Sequence, residues 1–150
     1  MRLVDDFLNQ CKAEVVEMGT NYIRNTNITY YQILTKNSNE LVSFTKNIEA
    51  VKYLQTPILK RKYPIYGDMV DARIKKAVHR RDLMQQGLKW CSIVFYQYAD
   101  IPFDTIEKVL EYLNNTDLRI LIYACKPLKS KFDEISFSSL SLERLDLFDY

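Results

Sequence analysis

The chain has 150 residues, 47% hydrophobic and 27% charged, with a formal net charge of +2, which fits one globular domain and excludes a largely disordered chain. No apolar run approaches the ~18 residues of a membrane-spanning helix; the longest, Trp90 to Tyr98, is interrupted by Ser92 and Gln97. Three scattered cysteines, Cys11, Cys91 and Cys125, are odd in number and argue against a disulfide framework, pointing to a reducing, intracellular compartment.

Residues 3 to 18 have the spacing of an amphipathic helix, with Val4, Phe7, Cys11, Val15 and Met18 on one face. Asp5 and Asp6 near its start suit the helix dipole and do not belong in a signal peptide. Gly19 is the expected C-cap. Residues 27 to 35 are rich in Ile, Thr and Tyr and predict a strand. A polar turn at 36 to 39 then leads to a returning strand over 40 to 45, so a hairpin is expected. Asn47 is placed to cap a short helix from Ile48 to Leu54, ended by Pro57.

Residues 57 to 67 hold two prolines and Gly67 and are expected to be a connector. Asp68 is placed to cap a helix from about Met69 to Leu88, with Val70, Ile74, Ala77, Met84 and Leu88 as its apolar stripe. Arg81 falls on that stripe and must snorkel outward or meet an acid. Trp90 to Tyr98 reads as a buried central strand. Pro102 and Asp104 open a helix to about Asn114, with Phe103, Ile106, Val109, Leu110 and Leu113 on its apolar face. Leu118 to Cys125 reads as a second buried strand. The expected fold class is therefore α+β, a mixed sheet with helices packed on at least one face and a βαβ unit in the C-terminal half. One domain spanning residues 1–150 is expected.

The side chains that carry chemistry are sparse. The single histidine, His79, lies among Lys75, Lys76, Arg80 and Arg81, where positive charge opposes its protonation. Zinc needs four Cys or His ligands at short paired spacings, and phosphate-cradling loops need clustered glycines. Three isolated glycines and three scattered cysteines supply neither, so no cofactor and no metal are expected. Asp68 and Asp71 beside Lys75 are the best remaining acids for a metal-dependent nuclease. Helix capping accounts for both acids without catalysis.

The charge is polarised. Lys60 to Lys89 carries nine bases against three acids, a net +6, while Asp133 to Tyr150 carries one base against five acids, a net −4. Lys60, Arg61 and Lys62 sit beside Tyr63 and Tyr66, and Arg73, Lys76, Arg80 and Arg81 follow on a helix. Cations interleaved with stackable rings suit single-stranded nucleic acid. The acidic tail places Leu145, Leu147, Phe148 and Tyr150 at its end, a pattern that suits docking on a partner protein or adding a strand to its sheet. An edge strand there also offers a route to a homodimer.

Scarce glycine, abundant tyrosine and the Asn, Lys and Ile content suggest an AT-rich coding genome, as in many viruses. The function expected from the sequence is a non-enzymatic binding or accessory protein of a virus or mobile element. It would act through protein partners and nucleic acid, with no membrane. The alternatives are a metal-dependent nuclease and a structural or host-interaction adaptor.

Overall fold

The structure, a computed structural model, describes residues 1–132. Its helices are α1 (Arg2–Thr20), α2 (Tyr30–Thr35), α3 (Ser38–Phe44), α4 (Ile48–Leu54), α5 (Ile58–Lys62), α6 (Gly67–Phe95), α7 (Phe103–Glu111) and α8 (Asn115–Phe132). Among the described residues there is no strand, and β pairing is confined to an isolated antiparallel bridge between Tyr22 and Thr29. The fold is all-α, which overturns the expected α+β class, its mixed sheet and its βαβ unit.

The expected hairpin fails because local capping outweighs β propensity. Thr29 accepts from the Gln32 amide at 3.2 Å while the Gln32 side chain accepts from the Thr29 amide at 2.9 Å. Asn37 and Glu40 repeat that reciprocal box at 2.9 and 2.8 Å. Each box satisfies two amide donors that a helix start otherwise leaves open. Two short helices result, and the turn before them holds Asn25 at φ 59°, a left-handed conformation that Asn tolerates.

The two expected buried strands, the first as far as Phe95, are helical for a different reason. In Trp90 to Tyr98 the inward residues are Cys91 and Val94, which extend the face begun at Gly87. In Leu118 to Cys125 they are Leu118, Ile122 and Cys125. Both sets follow the four-and-three spacing of a helix, masked by apolar residues on the opposite face of each run. Asn114 starts α8 by accepting from the Asp117 amide at 2.8 Å.

The chain packs as two compact units, Met1–His79 and a second that begins at Arg80, with the boundary inside α6. The first unit is cored by Met18, Ile33, Leu54, Tyr63, Val70 and Ile74. Two part-buried, charge-assisted ties hold its irregular segments. The Glu14 carboxylate accepts from the Ile65 and Tyr66 amides at 3.0 to 3.2 Å. Arg73 donates from Nε to the Ile33 carbonyl at 2.8 Å and from its guanidinium to that of Lys36. Both ties satisfy backbone groups that short helices and turns leave open.

The second unit packs α7 and α8 against the latter half of α6, around Leu83, Met84, Cys91, Ile106, Leu110, Leu118 and Ile122. The turn from α7 to α8 is fixed by Arg80. Its Nη1 donates to Asn115 Oδ1 at 3.0 Å, and its Nη2 donates to the Glu111 and Leu113 carbonyls at 3.1 and 3.0 Å.

Candidate functional site

The basic residues singled out from the sequence are mostly engaged within the fold. Lys60, Arg61 and Lys62 lie on α5 with exposed side chains. Lys60 pairs with Asp68 at 2.8 Å, and that hydrogen bond raises its pKa above the ordinary value. Lys62 sits 5.2 Å from the Tyr30 ring centroid and 5.4 Å from that of Tyr63. Tyr63 is buried in the core, stacked at a tilt on Tyr30 and accepting from Asn21 Nδ2 at 3.1 Å. Tyr66 is half-buried beside Cys11.

Arg73 and Arg80 hold carbonyls, as described above. Arg81 meets an acid, Asp82, at 3.1 Å, one of the two outcomes its place on the stripe allowed. Lys76 is exposed on α6. Arg80 and Arg81 belong to the second unit and the rest to the first. Of the acids considered for a nuclease, Asp68 is paired with Lys60 and Asp71 with Lys75 at 2.7 Å. Among the described residues no three His, Cys, Asp or Glu side chains gather as metal ligands. Leu145, Leu147, Phe148 and Tyr150, and the edge strand from which a homodimer was expected, lie outside the described residues.

A different surface stands out in the second unit. On α8 the core side is Leu118, Ile122 and Cys125, and the opposite side carries Ile120, 62% exposed, and Tyr123, 75% exposed. On α7, Ile106 and Leu110 face inward while Val109 is 58% exposed, and Tyr112, the C-cap residue, is 91% exposed. Lys126 lies 5.9 Å from the Tyr123 ring centroid and 6.0 Å from that of Trp90, adding a cation at that face. A helix that is apolar on both sides is ordinarily buried on both. The turn that joins α7 to α8 is held by the three Arg80 hydrogen bonds.

Sequence reading missed Ile120 and Tyr123 because a strand assignment buries Leu118 to Cys125 on both faces. A helical wheel drawn from Asn115 would have placed Ile120 and Tyr123 opposite Leu118 and Ile122. Among the described residues, no helix is long and apolar enough to cross a membrane.

No curated protein and no solved structure matches the chain. A family model does, that of the PRANC domain, over residues 25–123. The match takes in α2 through the first half of α8, including both the Arg80-held turn and the exposed apolar side chains. The PRANC domain is associated with poxviruses and fits a viral protein-interaction role. With two thirds of its length inside that match, the chain belongs to the PRANC domain family.

Proposed function

We propose that this chain is a viral interaction module that docks a host-cell protein through the outer face of α8 and the exposed side of α7. The observation that carries this reading is the apolar outer stripe of α8, Ile120 and Tyr123, set directly opposite its core stripe. Interfaces are enriched in aromatic anchors held on rigid supports, and Tyr112 and Tyr123 have that character. The F-box-like host interaction associated with the PRANC domain supports the same reading. On this view the protein works inside the host cell and contributes binding rather than bond chemistry.

The basic segment supports nucleic-acid binding less well, because Lys60, Lys62, Arg73 and Arg80 already serve partners within the fold. Capture of host proteins on the immobilised chain separates the two. Ile120→Asp combined with Tyr123→Asp is expected to lose the partner more than tenfold while helical circular dichroism is unchanged. Arg61→Glu with Lys76→Glu is expected to keep it. Full retention by the α8 variant, or loss confined to the Arg61 and Lys76 variant, overturns the reading.

A further inference from the structure

We propose that Tyr98 is a tyrosine-phosphorylation site, and that the phosphorylated segment Tyr98 to Ile101 is a ligand for a phosphotyrosine-binding domain. The connection from α6 to α7 carries the inference. Residues 95–102 are all exposed, Tyr98 by 77%. The buried side chains that flank the connection are Val94 and Ile106. Its backbone hydrogen bonds are local. The Tyr98 and Ala99 amides donate to the Phe95 carbonyl at 3.0 and 2.9 Å, and the Ile101 amide donates to the Ala99 carbonyl at 3.0 Å. The segment can therefore open into the extended form a kinase cleft accepts without uncovering core. Local openings of that kind cost far less than unfolding.

The residues after Tyr98 set it apart from the other exposed tyrosines. Asp100 stands two residues on and Ile101 three residues on, and both are exposed. Tyr96 is followed at those positions by Tyr98 and Ala99, and Tyr112 by Asn114 and Asn115. Tyr31 and Tyr123 lie within helices, and Tyr22 is paired with Thr29 in the antiparallel bridge. Pro102, at φ −58° and ψ 143°, has extended backbone and disfavours helical backbone at Ile101. Extended chain advances about 3.3 Å per residue, which sets Ile101 about 10 Å from Tyr98. A binder can then take the phosphate in an arginine cluster and the Ile101 side chain in a separate apolar slot.

In the transfer step the Tyr98 Oη attacks the γ-phosphorus of ATP in the cleft of a host tyrosine kinase. The bond from that phosphorus to the β-phosphate oxygen breaks, ADP leaves, and the phenolic proton passes to the kinase's base. The product carries about −1.5 to −2 charges at neutral pH. Residues 90–107 contain no lysine or arginine, while Asp100 and Asp104 flank the site. The neighbouring chain thus repels the phosphate instead of folding onto it, which leaves it displayed for a second molecule.

The test treats the 150-residue chain with a purified non-receptor tyrosine kinase, ATP and Mg²⁺ until a control peptide is fully converted. Peptide mapping by mass spectrometry is expected to place a phosphoryl group on Tyr98 as the principal site. The modified chain is expected to bind an immobilised SH2 domain selective for an acid and then isoleucine after phosphotyrosine, more than tenfold tighter than the unmodified chain. Tyr98→Phe is expected to lose that binding and Tyr96→Phe to keep it. Ile101→Ser is expected to keep the phosphate and weaken binding severalfold. These side chains are exposed, so helical circular dichroism is expected to be unchanged in each variant. Tyr98 left unmodified while the control peptide is converted overturns the proposal. So does a Tyr98-phosphorylated chain that binds no better than the unmodified one, or binding indifferent to Ile101→Ser.

Discussion

Arg80 places a guanidinium where only 8% of the residue is exposed and uses it to hold three acceptors across the α7–α8 turn. Removing such a donor leaves the part-buried Glu111 and Leu113 carbonyls without it, and that loss outweighs the small gain from burying an apolar side chain. Arg80→Met is expected to lower unfolding stability by about 2–4 kcal/mol in a denaturant titration. Arg80→Lys is expected to fall between the two, since one ammonium cannot span a planar fork of acceptors. Glycines in α6 give a contrast of sign. A Cβ at Gly67 would meet the Leu59 carbonyl oxygen at 3.0 Å, a backbone atom with little room to move. A Cβ at Gly87 would meet the Leu110 and Leu118 side chains at 3.4 to 3.7 Å, which is ordinary contact. Thermal melts are expected to show Gly67→Ala destabilised by about 1–3 kcal/mol, and Gly87→Ala unchanged or stabilised by up to about 1 kcal/mol. The sequence identified Arg80 as a cation but not its role, because its acceptors lie more than thirty residues away.

At the scale of elements, legibility tracked the source of each helix's stability. The helix from Ile48 to Leu54 was readable with its Asn47 cap, which accepts from the Ala50 amide at 3.1 Å. The same kind of cap lay in view at Thr29 with Gln32 and at Asn37 with Glu40, but Ile, Thr and Tyr content argued for strands. Propensity is a weak prior, and reciprocal caps plus burial of Tyr30, Ile33, Leu41 and Phe44 decided the outcome. Thr29→Ala and Asn37→Ala are each expected to cost about 1 kcal/mol by chemical denaturation, within the range of N-cap losses. An unchanged stability in both would show that packing alone holds α2 and α3. The stripe read on α1 was correct in period but not in burial. Met18 is buried, yet Val4 and Phe7 are exposed, and the helix runs past Gly19 to an Asn21 cap. Periodicity shows which residues share a face and says nothing about whether anything covers it.

For the whole molecule, charge distribution and apolar runs were legible in the sequence, but the fold class was not. Two apolar runs passed for sheet because their helical spacing was masked by apolar residues on the other face. On α8 that outer face is also what the proposed function requires. The central claim is that Ile120 and Tyr123 are apolar because a host protein covers them. Hydroxyl-radical footprinting of the chain alone and with its captured partner tests this most directly. Oxidation of Tyr112 and Tyr123 is expected to fall severalfold in the complex, with Tyr22 and Tyr31 of the first unit unchanged. Undiminished oxidation of Tyr112 and Tyr123 in a saturated complex would contradict the claim.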